Sequence, residues 1–316
     1  METRSIGSLP VTVVGLGCNN FARKIDEADS AAVVNAALDS GITHFDTADR
    51  YGYGDHPYSG EGLSEAFLSK ALGSRRTEVT IASKFGNPLD SDPILHRGGS
   101  RRWINEACEA SLRRLETDYI DLYQMHNPDP DTPLEETLGT LNELVVAGKV
   151  REIGCSGYSG DQLTRALQVS DDHGYARFVS AMHDYNLLER TPEKDLIPAC
   201  QRLGTAFLPY FPLASGLLTG KYVKGEPPPA GSRLAFWTPR PYLALTDETL
   251  DRVQAFADFA EARGHTLLEL AMSWLVNRAE VASVVAGATT PEQVRANAAA
   301  AGWKLSDAEL AEIDDI

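Results

Sequence analysis

Eight short strand-like runs recur along the chain, at 11–15, 43–46, 79–84, 119–125, 150–155, 178–182, 205–210 and 281–286. Longer stretches follow them, at 28–39, 61–72, 100–115, 133–147, 160–169, 192–203, 246–263, 266–277 and 291–301, with apolar residues returning every three or four positions. The short runs predict strands and the long ones amphipathic helices. Their alternation predicts βαβ units and a parallel sheet. Eight such units favour an α/β fold of the closed (β/α)8 type, a TIM barrel, over an open doubly wound sheet, with residues 1–316 forming one domain. Thr132-Pro133, Thr191-Pro192 and Thr290-Pro291, each with Glu close behind, read as helix starts. The segment before Gly17 has room for a short hairpin across the barrel floor. Two connections are long, 86–100 and 211–245, the second containing Glu226-Pro-Pro-Pro-Ala-Gly231. Both follow strand C-termini, which places them on the catalytic face as pocket walls.

Three of these strands end on an ionisable residue: Asp46, Lys84 and His126, with Tyr51 five positions after the aspartate. Each has a bland reading alone: a solvated loop lysine, an aspartate capping a turn, a structural histidine. In order at successive strand ends, they read as one centre. A carbonyl being reduced needs hydride at carbon and a proton at oxygen. Tyr51 is the expected proton donor, with Lys84 lowering its pKa, Asp46 keeping Lys84 charged, and His126 directing an N–H at the substrate oxygen. Phe21, Tyr53, Trp103, Asn127 and Trp237 are candidate substrate walls by their place in loops or after strands. Aromatic walls would favour apolar or aromatic carbonyls. No His/Asp/Glu group has metal-ligand spacing, and the chemistry requires no metal.

Composition narrows the class. Hydrophobic content of 43% and charged content of 23% suit a soluble globule. No run reaches the ~20 apolar residues of a membrane span, and the first residues lack an apolar signal core. The expected location is therefore cytoplasmic. Cys18, Cys108, Cys155 and Cys200 form no Cys-x-x-Cys pair, against both a disulfide framework and a cysteine–zinc site. A net charge of −16 disfavours nucleic acid and anionic membranes as partners.

Six segments together resemble the aldo-keto reductases. They are Phe45-Asp-Thr-Ala-Asp-Arg-Tyr-Gly52, Ser83-Lys84, Asp118-Tyr-Ile-Asp-Leu-Tyr-Gln-Met-His126, Gly148-Lys-Val-Arg-Glu-Ile-Gly154, Tyr210-Phe-Pro-Leu-Ala-Ser-Gly-Leu-Leu-Thr-Gly-Lys-Tyr222 and Gly287-Ala-Thr-Thr-Pro-Glu-Gln-Val-Arg-Ala-Asn297. The resemblance runs from Gly15 to Asn297 and is closer to the bacterial and potassium-channel-β-subunit-like branch than to the animal aldose reductases. It implies a barrel that binds NADP (NADPH), with NAD as the alternative, and a small-molecule carbonyl substrate. The chain has no Gly-x-Gly-x-x-Gly turn, so no Rossmann domain is implied. By resemblance, cofactor contacts come from Ser156, from the Tyr210 ring and from Leu213, Gly216, Leu217, Thr219 and Lys221 around the pyrophosphate. Gly287, Thr289, Gln293 and Asn297 hold the adenosine end.

Three departures from the family pattern stand out. Gly157 follows Ser156 where the family has Asn. Met182 stands where the family often has Gln. Thr289-Thr290 lacks the basic residue that many NADP-using relatives place there, although Arg295 lies one turn along. The leading expectation is an NADPH-dependent reductase of aldehydes or ketones. The alternative is a redox-sensing or regulatory subunit that keeps the cofactor and turns over little. A Schiff-base aldolase would leave Lys84 without the neighbouring Asp46 and Tyr51.

Overall fold

The structure, a computed structural model, describes residues 1–52, 61–89, 91–235 and 240–316. Its strands are β1 (Thr3–Ile6), β2 (Leu9–Thr12), β3 (Val14–Gly17), β4 (His44–Asp46), β5 (Thr80–Phe85), β6 (Ile120–Met125), β7 (Val150–Ser156), β8 (Phe178–Asp184), β9 (Ala206–Tyr210) and β10 (Val284–Gly287). The last eight, β3 to β10, are parallel and close a barrel in chain order, with β10 pairing both β9 and β3. This is the (β/α)8 barrel that the alternation predicted.

The first predicted strand is displaced. Residues 11 and 12 belong to the antiparallel hairpin β1–β2, and the barrel strand begins at Val14. The hairpin buries Ile6, Leu9 and Val11 against Ala82, Leu122 and Leu208 inside the barrel, so apolar burial holds it there. Arg4 ties it down by donating to the backbone oxygens of Val276 at 2.7 Å and Arg278 at 3.1 Å. The floor is thus plugged and the barrel opens at the strand C-termini.

Inside the barrel the side chains alternate with the pleat. His44 and Asp46, Ala82 and Lys84, Leu122 and Gln124, and Ser180 and Met182 stand two apart on neighbouring strands, and all eight are buried. Helix ends follow local chemistry where the sequence supplies it. Thr290 accepts from Gln293 N before Pro291, whereas Thr132 donates to Asp129 instead of capping and Thr191 opens only a short 3-10 turn. A C-terminal helix, Asp307–Asp314, adds a capping box that the sequence reading had not assigned. All four cysteines are buried free thiols. No helix among the described residues is long and apolar enough to cross a membrane.

Candidate active site

Lys84 closes β5 with its ammonium almost fully buried. Three acceptors surround Nζ: Asp46 Oδ2 at 2.6 Å, the Thr47 carbonyl at 2.9 Å and Tyr51 Oη at 3.3 Å. An ammonium has three N–H donors, so these contacts use all of them. Because Lys84 donates to the phenol oxygen, the phenol's own hydrogen is left to point elsewhere. The His126 ring meets Tyr51 edge-on, with centroids 5.8 Å apart. The four residues expected to form one centre therefore do come together, on β4, β5, the end of β6 and the loop after β4.

The charges sort by environment. Burial opposes the Lys84 cation, but Asp46 and Tyr51 outweigh it and hold the ammonium above its ordinary range. Burial pushes the Asp46 carboxyl up, against the pull of Lys84. Tyr51 differs from expectation. Burial, with Asp46 adding to it, outweighs Lys84 and raises the phenol above its usual value. The site thus keeps its phenol protonated at neutral pH. Burial, Lys84 and Arg50 push the His126 imidazole well below its usual range, so it is neutral and one ring nitrogen can donate.

These residues line a cavity of about 730 Å³. Asp46, Tyr51, Lys84 and His126 stand at one end. Ser156, Met182, Tyr210, Leu213, Gly216, Thr219, Lys221, Gly287, Thr289, Gln293 and Asn297, all named from sequence, line the remainder. Ser156 and Met182 are register partners on β7 and β8. The loop 211–216 turns sharply, with Phe211, Ala214 and Ser215 at φ of 55°, 46° and 56°. Such strain in L-residues persists only where surroundings impose it, often at ligand clamps.

Several expectations need correction. Leu217 is fully buried in the core and does not line the cavity, because the 3-10 turn Ala214–Thr219 faces it inward. Phe21 is likewise fully buried; its tight loop, pinned by a Phe21–Ile25 bridge, drives the ring into the core. Trp103 packs beneath the 86–100 connection, stacked on His96 at 4.8 Å, away from the cavity. Asn127 does line it. Tyr53 and Trp237 lie outside the described residues. Gly157 does not line the cavity. At φ +70°, a Cβ there would sit 2.9 Å from Asn127 Oδ1, so Asn127 occupies the space an added side chain would need.

The sequence reading missed a group of cations. Lys24, Arg233 and Arg240 all line the cavity. Asn20 knits the first two to the exit of β10: its carbonyl accepts from Lys24 N at 2.8 Å, its Oδ1 from Arg233 Nη2 at 3.1 Å, and its Nδ2 donates to the Ala288 carbonyl at 3.2 Å. Burial and the neighbouring Arg233, Arg23 and Lys221 lower Lys24 to about 8. Arg240 pairs through Nε with Asp184 at 2.7 Å and shares the Phe211 ring with Arg233. No local motif announces Arg233, since 213 residues separate it from Asn20.

The chain was compared with known proteins. Residues 13–316 match the Aldo/keto reductase family. An uncharacterized oxidoreductase of Bacillus subtilis, YrpG, is 33% identical over all of this chain and 96% of its own length. L-glyceraldehyde 3-phosphate reductase of Escherichia coli K12 is 32% identical, covering 97% of this chain and 88% of its own. A probable voltage-gated potassium channel subunit beta of Arabidopsis thaliana is 31% identical over 94% of this chain and 90% of its own.

Proposed function

The chain belongs to the aldo/keto reductase family and is an oxidoreductase, and from that premise we propose that it reduces an aldehyde or ketone to the alcohol with NADPH, Tyr51 delivering the proton. One observation carries this reading. Lys84 spends its donors on Asp46, Thr47 and Tyr51 Oη, which leaves a protonated phenol facing a cavity large enough for a dinucleotide and a small carbonyl.

The cavity fits the cofactor by its own chemistry. Ser215 and Ser232 line it, and their buried hydroxyl oxygens have no hydrogen-bond partner among the described residues. Such groups are ready to meet phosphate or ribose oxygens. Lys221, Lys24 and Arg233 bring positive charge to a molecule of net charge −16. A bound nicotinamide would supply hydride to the carbonyl carbon. Ser156 and Met182 would bound the ring, with Tyr210 against its face. Tyr51 and His126 would hold the carbonyl oxygen between O–H and N–H donors and stabilise the negative charge that develops there. The proton leaves Tyr51 as that charge grows, and the adjacent Lys84 cation stabilises the phenolate left behind.

The cations beside Ala288 and Thr289 replace the basic residue missing from Thr289-Thr290, and they favour the 2′-phosphate of NADPH over NADH. Lys24, with a pKa near 8, loses its charge as pH rises through that value. A phosphate monoester titrates near pH 6, so above pH 7 only the protein side changes. NADPH affinity should therefore weaken several-fold between pH 7 and 9, and Lys24→Met should flatten that dependence; NADH binding should change little in either case. Fluorescence titration of both cofactors across this range checks it, and equal affinity for NADH at pH 7 would overturn the cofactor assignment. The reaction itself is tested by NADPH consumption across aldehydes, ketones and sugars, phosphorylated aldehydes included. Absence of turnover with every carbonyl class would favour the regulatory alternative.

A further inference from the structure

Directly beneath the tetrad lies a buried amide that the reading above leaves unused. Gln124 is fully buried on β6, the register partner of Lys84 on one side and Gly154 on the other. Its Oε1 accepts from Ser180 Oγ at 3.4 Å. The space comes from Gly154, where a Cβ would lie 2.2 Å from Ser180 Oγ and 3.3 Å from Gln124 Cγ. This arrangement leaves Nε2, a double donor, for something else.

Two buried polar atoms in this part of the barrel have no hydrogen-bond partner among the described residues. Asp46 gives Oδ2 to Lys84, but its Oδ1 is buried with no direct partner. Gln124 Nε2 is also buried with no direct partner. One is an acceptor and the other a donor. The two atoms are too far apart for a direct hydrogen bond, yet the amide is near enough to favour the charged carboxylate, after Lys84. A buried carboxylate oxygen without a donor is costly, and in a low-dielectric barrel even a long amide contact is significant.

We infer that Gln124 is a positioning residue: its amide holds Asp46 Oδ1, fixes the carboxylate as an anion aimed at Lys84, and through that pair governs the proton donor Tyr51. The inference rests on the reductase reading. Met or Leu at this position would fill the same volume without a donor. The charged and titratable groups around Asp46 are Lys84 on β5, His126 beyond β6, Tyr51 and Cys18 in the adjoining loops, and His44 below on its own strand. Removing the amide destabilises the Asp46 carboxylate alone, so that group should take up its proton at a higher pH.

The test uses the full-length protein with NADPH and the best carbonyl found in the panel. Gln124→Met should lower kcat about 10- to 100-fold, the size of one lost hydrogen bond to a charged group. It should leave KM and NADPH affinity within twofold and move the acid limb of the kcat–pH profile up by about one unit. In an Asp46→Asn background the same change should cost less than twofold, because no carboxylate charge remains for the amide to stabilise. Ser180→Ala, a mild change that frees the amide to rotate, should move the limb the same way by a smaller amount, and it serves if Gln124→Met does not fold. An unmoved limb in these variants, or an equal loss with and without Asp46, overturns the role of Gln124. Undiminished turnover in Tyr51→Phe would instead overturn the proton-donor assignment, and no turnover with any carbonyl would overturn the reductase reading on which the inference rests.

Discussion

Tyr51→Phe lowers kcat by roughly 10²–10⁴-fold, the range that a positioned general acid contributes, while NADPH binds within twofold of the parent protein. The two halves of this expectation come from one geometry. Tyr51 Oη touches Lys84 Nζ at 3.3 Å and borders the cavity with Asp46, Lys84 and His126, while the proposed phosphate contacts are assigned to other lining residues, Lys221, Arg233 and Thr289. Phenylalanine keeps the ring and its edge contact with His126 and removes the hydroxyl, and with it both the proton and one acceptor of Lys84. The loss should appear in kcat and kcat/KM alike, the signature of an interaction made in the transition state. Stopped-flow hydride transfer at saturating NADPH is the measurement, and a kcat within threefold of the parent would remove Tyr51 from the role.

Lys84→Met is expected to act on both stability and rate. The ammonium is 1% exposed and pairs with an Asp46 carboxylate that is 5% exposed. Removing one member of a buried pair strands the other, at about 3–5 kcal/mol. The sign with pH follows from the direction of each shift. In the parent protein Lys84 is held above its ordinary value, so its stabilising charge is present across neutral pH and is lost only in strongly alkaline solution. In Lys84→Met the lone Asp46 carboxyl should be pushed further up, so the variant should gain stability as the pH falls and Asp46 protonates. Adding Asp46→Asn should restore much of the stability at pH 7 and none of the turnover, because Tyr51 still lacks its cation. Urea denaturation at pH 5, 7 and 8 separates the outcomes. A Lys84→Met protein as stable as its parent at pH 7 would mean that the pair contributes little to the fold.

The catalytic end of the site was legible because each residue closes its own strand. Asp46, Lys84 and His126 are marked by local pattern, and the barrel brings strand ends together without further instruction. The rest of the cavity lining was legible through one contiguous loop, 210–221, and one helix start at Thr290. What failed was side-chain direction. Phe21, Trp103 and Leu217 occupy the right segments, but a large apolar ring or chain turns to the core when the loop offers it one. What was missed depends on distant pairing. Arg233 and Lys24 join through Asn20, and Gln124 reads in sequence as one more residue of an apolar strand. The first barrel strand was placed too early because Val11–Gly15 is apolar but for Thr12, and only the bend at Val13 separates the floor from the barrel.

The four cysteines close off one kind of chemistry and open another. Each thiol is buried, and burial pushes Cys108 and Cys200 up to about 12 and Cys18 and Cys155 well above the usual thiol range. The folded protein therefore presents almost no thiolate to an alkylating reagent. Labelling can proceed only through fluctuations that expose a sulfur, so its rate counts openings rather than reactivity. Cys18 is the most useful of the four clocks. Its amide donates to the Asp46 carbonyl at 2.8 Å, so its trapping rate times the breathing of the strand end that carries the carboxylate, and any ligand that tightens that end will slow it.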